Sequence, residues 1–350
     1  MNTSSELQAG TPRAAPDPIL RIRDLTVRFE MDRGTSRVLD GVNLDIHRNE
    51  IIGIVGESGS GKSMLASALL DAVVKPGVTE GTITYSPPDG DDIDILDLSA
   101  EELRQFRWEE ISMVFQGALS SFNPTMAIGE HFQETLEAHG YPVGPGMDRA
   151  AELLDDLYLD PDRVLSSYPH ELSGGMKQRA LIALALVLDP EVLVMDEPTA
   201  ALDLLMQRSI VSLLAELRDK HDLTMVFITH DLPLVTKLAD RIGVLYAFEF
   251  AEIGETETIL KEPAHPYTRA LLNATPNLDA PLEEMRPIAG SAPDPVNVPE
   301  GCSYRTRCPL ATPDCEHEDP LLEQVADTHR VACHHWRDAE EIPLTTEVDK

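Results

Sequence analysis

Eight consecutive residues, Gly56-Glu57-Ser58-Gly59-Ser60-Gly61-Lys62-Ser63, fit the pattern G-x-x-x-x-G-K-[ST]. Glycines at these spacings let the backbone curl so that several N–H groups point inward at phosphate oxygens. A helix that follows aims its positive end at the same place. Lys62 reaches β- and γ-phosphates, the Ser63 hydroxyl suits Mg²⁺, and Met64 continues into the helix. A second constellation is Val192-Leu193-Val194-Met195-Asp196-Glu197. An apolar strand delivers Asp196 as a Mg²⁺ carboxylate and Glu197 as the group that orients or deprotonates an attacking water. The third is a set of four cysteines, Cys302, Cys308, Cys315 and Cys333, with none in the preceding 301 residues. Four thiolates suit Zn²⁺ or an iron–sulfur cluster, but the spacing matches neither paired C-x₂-C zinc sites nor ferredoxin runs. Reduced structural thiols remain a third reading, and disulfides are not expected in a cytosolic chain.

These groups need a scaffold with ligands at strand ends. Leu20–Phe29 and Val38–Ile46 alternate as half-buried strands do. Ile51–Val55, Val192–Met195 and Thr224–Thr229 are short apolar runs, the mark of buried central strands. Ile111–Phe115, Arg241–Tyr246 and Phe250–Gly254 read as further strands. Residues 125–188 read as mostly helical, and the helix before Thr224 carries Leu204, Ile210, Val211, Leu213, Leu214 and Leu217. Strands separated by helices predict a mainly parallel α/β sheet with ligands at the carboxyl ends. Residues 1–18 carry three prolines and read as a disordered lead-in. Proline becomes frequent past 262, which marks a boundary between a domain at 19–262 and an extension at 263–336, with an acidic tail at 337–350.

Bulk composition narrows the function classes. The longest apolar run, Ala180–Leu188, is about half of a membrane span. The formal net charge is −33, with 7 Lys against 21 Arg, and the acids are spread along the chain. Such self-repulsion destabilises a compact fold in dilute salt, whereas at molar salt the Debye length falls to about 3 Å. The balance argues against nucleic acid as a partner, because phosphate backbones need a basic face. Acidic, lysine-poor composition resembles that of proteins from salt-accumulating archaea.

Leu172-Ser173-Gly174-Gly175-Met176-Lys177-Gln178-Arg179 resembles the signature sequence of ABC ATPases. The residues alone read as a polar entry to a helix at Met176–Leu188, capped by Ser173. The resemblance implies a P-loop ABC ATPase fold: a mainly parallel core sheet, an antiparallel β arm, a helical signature subdomain at about 117–188 and a small C-terminal extension. It implies two subunits sandwiching ATP head to tail, with Ser173, Gly174, Gly175 and Asp203 of one subunit serving nucleotide on the other. Position by position, it makes Gln116 the glutamine-loop residue that joins Ser63 and Asp196 at Mg²⁺, His230 the switch histidine and Glu197 the catalytic carboxylate. Phe29 matches the adenine platform, although its alternation fits a core position equally.

A narrower resemblance is to peptide-importer ATPases of the dipeptide/oligopeptide type. It rests on Phe115-Gln116 with Ser121-Phe122-Asn123-Pro124, on Tyr168-Pro169-His170-Glu171, and above all on His265-Pro266-Tyr267-Thr268-Arg269-Ala270-Leu271-Leu272. It implies a subunit on the cytoplasmic face of the membrane, working with a second, related ATPase chain, two permease subunits and an extracellular substrate-binding protein. It also implies a [4Fe–4S] cluster on the four cysteines. Nickel and sugar importers use similar ATPases. ABC ATPases of DNA repair or translation form a separate alternative, disfavoured by the single phosphate loop and the net charge. Gly117, and Ala247-Phe248-Glu249-Phe250, depart from that group's usual Asp and Ala-Gly-Arg-Ile.

Overall fold

The computed structural model describes residues 17–117, 121–200, 202–274 and 288–344. Most of the expected lead-in lies outside them; Pro18 already opens a strand, pairing with His47 at a position where a missing N–H is tolerated. Strands β1 (Pro18–Met31) and β2 (Gly34–His47) form a long antiparallel pair. The apolar strand β3 (Ile51–Val55) runs into the phosphate loop and helix α1 (Lys62–Ala68). Strands β4 (Val78–Tyr85) and β5 (Ile93–Asp94) complete a four-stranded antiparallel sheet in the order β2-β1-β4-β5. Helix α2 (Ala100–Glu109) starts with a capping box from Ser99 and Glu102 and leads to β6 (Ile111–Val114). Phe115, expected to close that strand, lies beyond it and is half exposed.

A helical layer follows: α3 (Ile128–Ala138), α4 (Val143–Asp156), α5 (Pro161–Ser166) and α6 (Gly174–Ala185). The chain then alternates through β7 (Val192–Asp196), α7 (Leu204–His221), β8 (Thr224–Ile228), α8 (Leu232–Val235) and β9 (Arg241–Tyr246) to β10 (Glu249–Glu255). Of the apolar residues on α7, Leu204 is 70% exposed: Asp203 caps the helix there, and the first turn projects from the core. Helix α9 (Thr256–Lys261) ends the first domain, and the extension adds α10 (Pro266–Ala274), α11 (Asp314–His317), β11 (Glu323–Ala326) and β12 (His329–Val331).

The main sheet has eight strands in the order β11-β12-β10-β9-β3-β8-β7-β6. β9, β3, β8, β7 and β6 are mutually parallel. β10, β12 and β11 continue it antiparallel. Both faces of the central strands are covered, which explains their unbroken apolar runs. Ile52, Ile54, Val194 and Val226 pack toward the antiparallel sheet and α1. Ile51, Val55, Met195 and Phe227 pack toward the helices on the other side. Each such buried side chain contributes about 1.5–3 kcal/mol relative to exposure. Tyr267, Leu272 and Tyr304 belong to this second core, so the extension shares the first domain's interior. The expected acidic tail is also docked as far as residue 344: Arg269 Nη1 donates to Ile342 O at 2.8 Å and Asn273 Nδ2 to Pro343 O at 3.0 Å. Its last residues, 345–350, lie outside the described residues.

Candidate functional site

Because β3, β8 and β7 are neighbours in one parallel sheet, their carboxyl ends bring the phosphate loop, His230 and Asp196–Glu197 together. The loop curls where only glycine fits. A Cβ on Gly56 would stand 2.1 Å from Leu245 O, and Gly61 sits at φ +107 as the residue before α1.

Lys62 is buried, and its Nζ donates to Gly56 O at 3.0 Å and Glu57 O at 2.9 Å. An ammonium has three donors, so one is left for a ligand. Burial lowers the Lys62 pKa, while Glu197, Asp196 and Glu57 pull it back up. Ser63 Oγ donates to Asp196 Oδ1 at 3.1 Å, so the two residues expected at Mg²⁺ are in contact. Burial raises the Asp196 pKa, the Ser63 hydrogen bond opposes this, and Glu197 adds to it. A buried carboxylate held up in this way gains from a nearby cation.

Glu197 occupies the left-handed region at φ +48, with its N–H donating to Ile228 O at 2.9 Å. A non-glycine residue in that region stores strain, a common feature of functional sites. His230 Nδ1 lies 3.0 Å from both Glu197 carboxylate oxygens. The structure therefore joins the expected catalytic acid–base residue to the expected switch histidine. Gln116 is exposed just past β6, which is separated from β3 by β8 and β7.

The residues expected to act on a partner's nucleotide stand at two helix starts. Ser173 caps α6, accepting from Met176 N at 3.4 Å, and a Cβ on Gly175 would meet Met206 Cε at 1.9 Å. Asp203 caps α7 by accepting from Leu205 N and Met206 N, both at 3.0 Å. The neighbouring Ala201 lies outside the described residues. Phe29 is half-buried against the core between the antiparallel sheet and α1 and packs on Gly77, so part of the ring is occupied by the fold.

Two features of the site were not foreseen. Glu57 N donates to Tyr267 Oη at 2.9 Å, and the Glu57 carboxylate is forked by Arg307 at 2.8 and 3.0 Å. His329 has its Nε2 2.7 Å from Oε1 of the fully buried Glu252. The motif around His265 pointed to Tyr267 but not to its target, and Arg307 gave no local signal.

The four cysteines line one small cavity with His265, His334 and His335. Burial pushes Cys302 up to about 11 and Cys333 up to about 12, with neighbouring thiols adding to both, and raises Cys308 as well. Among the described residues, no three His, Cys, Asp or Glu side chains stand close enough to hold a metal ion. The donor set thus faces one space without being drawn together. No helix among the described residues is long and apolar enough to cross a membrane.

Comparison with known proteins follows the same division. The ABC transporter family profile matches residues 39–200, and that of the oligopeptide/dipeptide transporter C-terminal region matches residues 251–315. The dipeptide transport ATP-binding protein DppD of Caldanaerobacter subterraneus is 41% identical over 323 residues, spanning 91% of this chain and 98% of the relative. A putative oligopeptide transport ATP-binding protein of Bacillus subtilis is 41% identical over 330 residues, 92% of this chain and 97% of the relative. Among solved structures, a dimeric bacterial ABC transporter cassette superposes with TM-score 0.59 at 30% identity, over 68% of this chain and 98% of the other. CbiO1 of Clostridium perfringens, part of an ABC transporter complex, gives 0.59 at 28% identity, over 70% and 92%.

Proposed function

The chain belongs to the ABC transporter ATP-binding family with an oligopeptide/dipeptide-type C-terminal region, and from that premise we propose that it hydrolyses ATP to drive peptide import. The observation that carries the ATPase half is the convergence of Lys62, Ser63–Asp196 and Glu197–His230 on three adjacent strand ends. The peptide half is supported by the match over residues 251–315 and by relatives named for dipeptide and oligopeptide transport.

ATP lies with its phosphates in loop 56–63, where backbone N–H groups and Lys62 neutralise their charge. Mg²⁺, held by Ser63 and Asp196 with Gln116, would supply further neutralisation of the β- and γ-phosphates; the contact between Ser63 and Asp196 and the raised Asp196 pKa fit such an ion. Glu197 orients the attacking water and accepts its proton as the water oxygen bonds to the γ-phosphorus and the β–γ bridge breaks. His230 holds the Glu197 carboxylate in place. Ser173, Gly174, Gly175 and Asp203 complete the site of a second, related ATPase subunit. The exposed Leu204 and Leu205 beside Asp203 support that contact, since paired exposed leucines at a helix start call for cover.

The assembly sits on the cytoplasmic face of the membrane with two permease subunits and an extracellular binding protein. The dispersed acidic charge supports a halophilic setting in which salt screens it. Cys302, Cys308, Cys315 and Cys333 would hold an iron–sulfur cluster once drawn together, a reading supported by their shared cavity and the four-thiol donor set.

ATP-dependent uptake of labelled di- and oligopeptides into vesicles bearing the co-purified transporter tests the function. Uptake that proceeds without ATP, or ATP-driven uptake of nickel or sugar alone, refutes the peptide reading. Iron analysis and absorbance near 400 nm on anaerobically purified protein test the cluster, which colourless, iron-free, folded protein would rule out.

A further inference from the structure

The phosphate loop is held from outside the ATPase domain. Glu57, its second residue, uses three polar groups in three directions. Its carbonyl accepts from Lys62 Nζ at 2.9 Å. Its N–H donates to the hydroxyl of Tyr267, on α10 of the extension. Its carboxylate receives both terminal nitrogens of Arg307, which lies between Cys302 and Cys308.

Arg307 is itself fixed. Its Nε donates to Ala289 O at 2.7 Å, and its guanidinium stands 5.7 Å from the centre of the Tyr246 ring and 5.8 Å from that of Tyr304. Tyr246, Tyr267 and Tyr304 pack against one another with centroids 4.4 to 5.4 Å apart. The Arg307 side chain is only 4% exposed and that of Glu57 25%, so the fork is shielded from water. Bidentate charged pairs in such settings are stronger and more directional than neutral hydrogen bonds.

We propose that Arg307 and Tyr267 are positioning residues for ATP binding, forming a strap from the C-terminal extension that holds the phosphate loop, through Glu57, in the shape that sets Lys62. A glycine-rich loop has much conformational freedom to lose when it closes on phosphate. Two tethers on one loop residue remove part of that cost before nucleotide arrives. The strap touches neither Glu197 nor His230, so it acts on nucleotide affinity and leaves the chemical step alone. This inference rests on the ATPase reading of the loop.

The test is Mg²⁺-dependent binding of a fluorescent ATP analogue and steady-state ATPase kinetics on the full chain, with thermal melting to confirm folding. Arg307→Ala is expected to raise Kd and KM for ATP about tenfold with kcat within about twofold, in line with loss of a charged, bidentate bond. Arg307→Lys keeps the charge without the fork and should restore only part of that loss. Tyr267→Phe removes one hydroxyl and should raise KM about threefold. If Arg307→Ala does not fold, Arg307→Lys and Tyr267→Phe decide the matter alone. Glu57→Gln added to Arg307→Ala should cause no further loss, because both changes cut one tether. Unchanged affinity in folded Arg307→Ala and Tyr267→Phe, additive losses in the double variant, or a fall in kcat at constant KM each overturn the strap. Lys62→Ala in the same assay tests the ATPase reading separately: binding lost in that variant alone leaves the reading intact and removes the strap.

Discussion

At the ends of β3, β7 and β8, each chemical side chain follows within a few positions of a buried apolar run, and its work is done beside its own strand. Beyond Pro263 the polar groups find their partners far along the chain: Glu252 meets His329 across 77 positions, and Glu57 meets Arg307 across 250. The first region is a local device repeated on three parallel strands. The second is a long-range clasp whose residue types announce little. The contrast teaches that one part performs the reaction and the other holds it in register, and the two should fail differently when cut.

The largest expected effect lies in the first region. Glu197→Gln should keep ATP binding and melting temperature while lowering kcat about 10²- to 10⁴-fold, the range for a lost general base. Single-turnover kinetics and melting curves check this, and wild-type turnover would break the comparison at its stronger end. In the second region the loss should be of stability. Glu252 is fully buried and accepts from Ala264 N at 2.6 Å and His265 N at 3.1 Å, with His329 Nε2 at 2.7 Å. Glu252→Ala strands those donors and should cost about 3–5 kcal/mol in denaturant unfolding; a loss under about 1 kcal/mol would show that the clasp is ornamental.

A smaller effect sharpens the picture through pH. Burial pulls the His265 pKa from 6.5 down to about 4, with Glu252 and the Ala332 backbone opposing it. The unfolded chain therefore takes up a proton below pH 6.5 that the folded chain refuses until about pH 4. The stability from neutral His265 is complete above pH 6.5 and is lost progressively toward pH 4, by at most about 3 kcal/mol. His265→Asn, which can still accept from Tyr267 N, should flatten that slope in unfolding measured from pH 4 to 7. An unchanged slope would remove His265 from the clasp.

What could be read in the sequence divides along the same line. The positions of Gly56–Ser63, Asp196, Glu197 and the capping Ser173 are legible because phosphate binding, strand ends and helix starts constrain nearby residues, whereas His230 is singled out by the family resemblance. The strands Ile51–Val55 and Arg241–Tyr246 were read as they stand. Apolar type alone does not tell that Leu204 is exposed, because its place in the first turn carries it outside the buried stripe. The hairpin between β9 and β10 carried no turn signal. Ala247 and Phe248 adopt φ +46 and +82 without a glycine, held there by Phe248 N donating to Ser60 O at 3.1 Å and Asp40 N donating to Phe248 O at 3.1 Å. Arg307 was invisible because nothing beside it states that its partner is Glu57.

The antiparallel strands β12 and β11 have a consequence for how the molecule is made. β10 pairs with β12 through Glu252↔Val331 and Ile253↔Arg330, so one rim of the main sheet has no neighbour until residues 329–331 leave the ribosome. Until then the nascent chain presents an open row of N–H and C=O groups, a template for pairing with other chains. Shortening the chain before residue 323 would make that exposure permanent. Ribosomal pausing within residues 255–323 would lengthen it, making this stretch the window in which a chaperone is most needed.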